Sequence, residues 1–222
     1  MDVAGFILSG GQSRRMGTDK SQLVLDGRTF VERIAEELSV VTRSVTIVGG
    51  NSDSRVSAEK LRTGDPKLET RNSKLETLKT VPDVYPQWGA LGGVHAALSA
   101  CANIWALIVA CDFPLVTSEL FAKLASLAED FEAVAPIQRD GIPQPLCALY
   151  RVEPCLCRAE QFIKSGERKP IALLQSVTTR WVSFDELRNL EGADHFFDNI
   201  NTPADYARVT KKGISTDDAA MS

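Results

Sequence analysis

Three stretches of the chain are apolar at almost every position: VAGFILS (3–9), SVTIVGG (44–50) and IWALIVA (104–110). Each is short, and the first two end in glycine, so all three read as buried strands. The third runs directly into Cys111 and Asp112. EAVAPI (132–137), PLCALY (145–150) and TRWVSF (179–184) have the pattern of further strands. Helical spacing fills the intervals. Thr29 and Glu32 make a capping box, after which Phe30, Val31, Ile34, Ala35 and Leu38 recur on one face. Thr117 or Ser118 can cap a helix carrying Leu120, Phe121, Leu124 and Leu127. PCLCRAEQFIKSG (154–166) reads as a helix with Pro154 at its start and Gly166 past its end. NTPADYARV (201–209) opens a last helix, with Thr202 as cap, Pro203 in first position and Asp205 completing a capping box.

Buried strands alternating with helices imply a mostly parallel sheet covered on both faces. The expected fold is a single three-layer α/β/α domain, Rossmann-like, over residues 1–210. Residues 51–79 break the alternation: they are polar, rich in Ser, Lys and Glu, and carry KLET twice (67–70 and 74–77). Two copies of four residues make no repeat architecture, so a mobile surface insertion is expected. KKGISTDDAAMS (211–222) has the composition of a disordered tail.

Composition narrows the function. The 222 residues are 44% hydrophobic and 24% charged, the make-up of a folded globular chain. A formal net charge of -4 and a pI near 5.3 argue against nucleic acid or a membrane surface as partner. No apolar run reaches the roughly 18 residues of a membrane span. Asp2 sits where a secretory signal would carry basic residues. Cys101, Cys111 and Cys147 lie in apolar contexts, as buried thiols of a reducing cytoplasm do. Cys155 and Cys157 form a lone C-x-C in a chain with only two histidines, a poor basis for a zinc site.

Against that acidic background one basic stretch stands out: LSGGQSRRMGTDK, Leu8 to Lys20. Glycines at 10 and 11 let backbone N–H groups approach a phosphate with no Cβ in the way, and Arg14, Arg15 and Lys20 supply cations. The stretch is neither a P-loop, since Gly17 is followed by Thr18, nor the dinucleotide fingerprint, since Gly10 is followed by Gly11. A basic surface turn is the plain alternative. Its position favours a ligand site. In parallel sheets ligands bind at the carboxyl ends of strands, and the Gly10-Gly11 loop, the Gly49-Gly50-Asn51 turn and Asp112 all fall there.

LSGGQSRRMGTDK resembles the G-G-x-S-x-R-M-G-x-D-K signature of the MobA-like nucleotidyltransferases, and among them the molybdenum cofactor guanylyltransferases. VPDVYPQWGALGGVHAAL (81–98), IVACDFPLV (108–116), QPLCALYR (144–151), SGERKPIALL (165–174) and FDNINTPADYARV (197–209) resemble later segments of that family. The chain departs from it at Ala90, where Pro is usual, and at Ser9, where Ala is usual. The resemblance implies a nucleotide-diphospho-sugar transferase-like fold and one reaction: GMP passes from GTP to molybdenum-loaded molybdopterin, releasing pyrophosphate. It implies Mg2+ as cofactor, GTP and molybdopterin as partners, contact with other cofactor-biosynthesis proteins and recipient molybdoenzymes, and a monomer.

By family position, Leu8, Ser9 and Gly10 contact the nucleotide, and Gly11 turns its N–H toward phosphate. Lys20 holds the phosphates and Arg15 meets charge developing on pyrophosphate, with Arg14 solvated. Asp112 binds Mg2+, and Asp83 accepts hydrogen bonds from guanine. Asn199, Asn201 and Arg168, with Lys169 beside it, belong to the acceptor side. The residues alone leave turn and cap chemistry open for these last four. His95 and His195 receive no role, and Asp19 none beyond its lysine neighbour. Two other readings stand beside this one: a cytidylyltransferase or another nucleotidyltransferase acting on molybdopterin or a sugar phosphate, and a non-catalytic nucleotide-binding module.

Overall fold

A computed structural model describes residues 1–9, 23–49, 78–198, 200 and 205–206. Its strands are β1 (Val3–Leu8), β2 (Val24–Leu25), β3 (Arg28–Thr29), β4 (Val45–Val48), β5 (Lys79–Val81), β6 (Trp105–Ala110), β7 (Ala133–Pro136), β8 (Cys147–Arg151) and β9 (Thr179–Val182). Its helices are α1 (Phe30–Val41), α2 (Gly89–Ala100), α3 (Ser118–Ser126), α4 (Val152–Ser165), α5 (Pro170–Gln175) and α6 (Phe184–Leu187). Short 3-10 turns lie at Pro86–Trp88 and Ala193–His195. Among the described residues no helix is long and apolar enough to cross a membrane.

The main sheet runs β5-β4-β1-β6-β8-β7-β9, with β2 and β3 as a separate ribbon. Every neighbouring pair in the main sheet is parallel except the two made by β8, which is antiparallel to β6 and to β7. The six predicted strands are β1, β4, β6, β7, β8 and β9, most of them a residue or two shorter than the apolar runs. β5 was not predicted, and it takes in Lys79, the last residue of the polar segment expected over 51–79, of which residues 51–77 lie outside the described residues.

Alternation of side chains divides the core. Val3 and Ile7 point to one face, where they meet Val31, Ile34 and Leu38 of α1 and Leu120, Phe121 and Leu124 of α3. Ala4, Phe6 and Leu8 point to the other, against Leu91, Val94 and Leu98 of α2, Ala159 and Ile163 of α4, and Leu173 and Leu174 of α5. The result is three layers.

Helix ends follow the sequence signals. The Thr29 hydroxyl accepts from Glu32 N–H at 3.2 Å, and Glu32 Oε2 accepts from Thr29 N–H at 2.7 Å. Thr117, not Ser118, caps α3, accepting from Leu120 N–H at 3.4 Å. Gly166 ends α4 in the left-handed region, φ 91°, with Glu167 N–H returning to Phe162 O at 2.9 Å. Pro154 lies in the third position of α4, where its missing N–H would have had no helical partner.

The strand order sets the functional edge. From β1 the chain crosses through α1 to β4 and on to β5, then returns through α2 to β6 on the other side of β1. The direction of travel reverses between β1 and β6. Such reversals open a crevice at the carboxyl ends of the strands, and Ser9 and Asp112 follow those two ends.

Candidate functional site

Leu8 and Ala110 are register partners, and Cys111 N–H donates to Leu8 O at 3.0 Å just past the end of the ladder. Ser9 N–H donates to Val48 O at 2.9 Å, and Gly49 N–H to Val81 O at 3.0 Å. The carboxyl edge is therefore laced from β5 across to β6. The Ser9 hydroxyl adds a contact that the expected alanine would lack, donating toward Val48 O at 3.3 Å and Gly49 O at 3.2 Å. Gly49 has φ 75°, a left-handed conformation that a glycine adopts without strain, and it lets β4 turn away there.

Asp112 leaves this edge half-buried, and its Oδ1 is withdrawn from solvent. The turn behind it is closed by Phe113 N–H donating to Ala110 O at 3.2 Å. A distant segment returns to the same spot: Ile200 N–H donates to Asp112 O at 3.3 Å. Ile200 is fully buried against Leu25 and Phe30, with Leu23, Leu115 and Tyr206 packed around them. The Tyr206 hydroxyl donates to Val24 O, which ties the late chain to the β2–β3 ribbon.

Asp83 lies on the neighbouring turn. Its Oδ1 accepts from Tyr85 N–H at 2.8 Å, folding the chain into the 3-10 turn before α2. Two glycines let α2 sit close. A Cβ on Gly92 would lie 2.5 Å from Tyr85 O and 3.3 Å from Asp83 Oδ1. A Cβ on Gly93 would lie 3.4 Å from Leu8 Cδ1, so the first turns of α2 rest directly on the end of β1. The Asp83 turn and the Leu8–Asp112 edge are thus one packed unit.

Arg168 joins that turn. Its guanidinium carbon stands 5.0 Å over the Trp88 ring, and Nη1 donates to Gln87 O at 3.3 Å. The backbone N–H groups of Arg168 and Lys169 both donate to Glu167 Oε1 at 2.8 Å, which lowers the Glu167 pKa. Arg168 therefore packs on the 3-10 turn that leads into α2.

His95 is only 6% exposed, within α2, with its ring edge-on to Tyr85 at 5.1 Å. Burial lowers its pKa, and the charges of Glu160 and Asp83 act against that shift. Ser99 Oγ stands 3.5 Å from its Nδ1 and donates to its backbone carbonyl at 2.8 Å. It is a packing histidine behind the Asp83 turn. His195 pairs with Asp198 at 3.0 Å.

Of the residues named from sequence, Leu8, Ser9 and Asp112 lie at the reversal between β1 and β6; Asp83 bonds Tyr85 and Arg168 packs on Trp88, both in the turn that leads into α2. Gly10, Gly11, Arg14, Arg15, Asp19, Lys20, Asn199 and Asn201 lie outside the described residues. Gly92 and Tyr85 went unnamed, although GALGG at the head of an apolar helix signals a close backbone approach.

The chain matches the model of the MobA-like NTP transferase domain family over residues 5–181. It is 32% identical to a protein of Pelotomaculum thermopropionicum named "probable molybdenum cofactor guanylyltransferase", over 94% of this chain and 92% of that one. Among solved structures it resembles molybdopterin-guanine dinucleotide biosynthesis protein A from Archaeoglobus fulgidus, at 26% identity and a TM-score of 0.71, covering 97% of this chain and all of that one. It also shares its fold with 4-diphosphocytidyl-2C-methyl-D-erythritol synthase from Anaerococcus prevotii, at 13% identity and a TM-score of 0.67 over 96% of both chains.

Proposed function

This chain belongs to the MobA-like NTP transferase domain family, and on that premise we propose that it transfers GMP from GTP to molybdopterin, forming the guanine dinucleotide and pyrophosphate. One observation carries the reading: Ile200, between Asn199 and Asn201, donates its N–H to the carbonyl of Asp112. That bond holds Ile200 beside Asp112, two residues past the end of the central strand β6. An acceptor held by the late segment would then meet a nucleotide held at the β1–β6 reversal.

In the transfer an oxygen of the acceptor's terminal phosphate attacks the α-phosphorus of GTP. One P–O bond forms, the bond to the bridging oxygen breaks, and pyrophosphate leaves with that electron pair. The protein's part is positioning and charge. The backbone at Leu8, Ser9, Gly10 and Gly11 turns around the nucleotide. Lys20 and Arg15 neutralise the phosphates. Asp83 takes hydrogen bonds from guanine, whose neighbouring amino and ring N–H groups suit a carboxylate. Arg168, Asn199 and Asn201 serve the acceptor.

Asp112 would hold Mg2+. A half-buried carboxylate suits a hard divalent cation, and among the described residues no cluster of three His, Cys, Asp or Glu forms a closed metal cage. That donor set fits an ion completing its shell with phosphate oxygens and water. Bound there, such an ion would supply positive charge to offset that developing on the phosphates, with Asp112 as its protein ligand. None of the five cysteines forms a disulfide, and Cys111, Cys147 and Cys155 are buried, which suits a reducing cytoplasm.

Incubation with Mg2+, molybdopterin and each nucleoside triphosphate in turn tests the proposal. GTP should give the dinucleotide and stoichiometric pyrophosphate. Product from CTP but not GTP would move the chain to the cytidylyl class, and nucleotide binding without turnover would make it a binding module.

A further inference from the structure

We propose that the cavity between the β7–β8 loop and residues 193–198 receives the flat, N–H-rich heterocycle of the acceptor while its phosphate end reaches toward Asp112. This rests on the guanylyl-transfer reading and gives roles to side chains, Asp194, Asp198 and Arg139 among them, to which the sequence analysis assigned none.

The cavity has a volume of about 390 Å3, and Gln138, Arg139, Phe184, Asp194, Phe197 and Asp198 line it. That size is within the range of roughly 300–1,000 Å3 usual for small-molecule sites. Its lining suits a planar ring. The Arg139 guanidinium stands 4.8 Å over the Phe184 ring and is held by Asp194 at 2.8 Å, so a flat cation is fixed at the cavity wall. Phe197 adds an aromatic wall.

The edge groups suit a donor-rich ring. A pterin carries an amino group beside a ring N–H, and a carboxylate can accept from both at once, as it does from an arginine fork. Asp198 engages His195 through Oδ2, and Asp194 engages Arg139 through Oδ1, so each carboxylate has a second oxygen to offer. Asp140 also lines the cavity, making three carboxylates to one guanidinium. That balance disfavours a triphosphate and favours a neutral ring bearing N–H groups.

The position fits the same assignment. β7 is parallel in direction to β6, because both are antiparallel to β8 between them, so their carboxyl ends open on one edge. The Phe197 ring meets the Phe113 ring edge-on at 6.0 Å, and Phe113 follows Asp112. Asp198 is two residues from Ile200, whose N–H reaches Asp112 O. The cavity and the Asp112 turn therefore share a wall. An acceptor with a phosphate at one end and a fused heterocycle at the other can span them.

The test uses the full chain with Asp198→Asn and Asp194→Asn, both near-isosteric. Each should raise the acceptor KM by roughly tenfold or more, the loss of a hydrogen bond to a charged group, while the GTP KM stays within about twofold. Direct binding of 6-hydroxymethylpterin, followed by its fluorescence, should weaken in parallel, with unchanged melting temperatures. An unchanged acceptor KM, an equal rise in both KM values, or no pterin binding to the wild-type chain would overturn the assignment. Absence of any transfer from GTP by the wild-type chain would instead sink the guanylyl reading, and pterin binding would still report on the cavity.

Discussion

Gly92 offers a sharp quantitative test, because its neighbour Gly93 is a built-in control. Both lie inside α2, where glycine is worse than alanine by about 1 kcal/mol in helix propensity alone. Propensity therefore predicts that Gly→Ala stabilises at either position. Space predicts otherwise. At Gly92 the new Cβ would stand 2.5 Å from Tyr85 O, a backbone atom fixed by accepting from Trp88 N–H at 2.9 Å. Relief requires the 3-10 turn and α2 to separate by several tenths of an ångström. Overpacking of this kind costs about 1–3 kcal/mol, and the backbone neighbour argues for the upper half of that range. Subtracting the propensity gain leaves Gly92→Ala destabilised by roughly 1–2 kcal/mol. At Gly93 the new methyl would touch Leu8 Cδ1 at 3.4 Å, an ordinary contact, so Gly93→Ala should be neutral or up to about 1 kcal/mol more stable. The two variants should differ by about 2 kcal/mol, or roughly 4–8 °C in melting temperature for a chain of this size. Urea unfolding measures this directly, with m values unchanged. A Gly92→Ala protein as stable as Gly93→Ala would refute the close approach.

Three further outcomes are expected. On the proposed role of Asp112 as metal ligand, Asp112→Asn should reduce pyrophosphate release by about 100-fold or more, since metal charge stabilisation is worth several kcal/mol, and circular dichroism should report a folded chain; near-normal turnover would remove Asp112 from the site. Burial holds His95 below its ordinary value of 6.5, so the unfolded chain binds the extra proton first and stability should fall as pH drops below about 6.5. His95→Gln should flatten that part of the urea-midpoint profile, and an unchanged slope would assign it to other groups. Burial pushes the Cys147 and Cys155 thiols up to about 12, whereas Cys157 is exposed, so brief alkylation at pH 8 followed by mass mapping should find Cys157 modified and Cys147 and Cys155 protected. Rapid labelling of Cys147 would contradict its burial in β8.

Much of this architecture is written locally. A run such as WALIVA reads as a buried strand, and Thr29 with Glu32 announces a helix start whatever lies elsewhere. The place of Asp112 at the carboxyl edge of the sheet was legible because it comes two residues after a strand buried on both faces. What escaped depends on partners far along the chain. β5 is the three residues KTV, with too little pattern to register, and it exists because β4 offers an open edge. The reversed direction of β8 was invisible, since CALY is equally apolar in a parallel or an antiparallel setting. The perch of Arg168 on Trp88 joins residues 80 apart, and SGERKP alone reads as a charged turn. Ser9 looked like a tolerated departure from alanine; only the return of β4 beside it supplies the carbonyls to which its hydroxyl donates.

The reversed strand β8 acts as a spacer. It separates β6 from β7 while leaving both pointing the same way, so their carboxyl ends stand two strand spacings apart, about 9–10 Å. Backbone hydrogen bonds on both flanks of β8 maintain that interval, whatever side chains the loops carry. Two binding stations divided by such a rung can diverge independently: the loop after β7 can be rewritten for a different heterocycle while the Asp112 turn keeps its distance from it. In that sense the edge is a ruler with interchangeable ends, and the molecules it suits are those whose two reactive or recognised groups match its length.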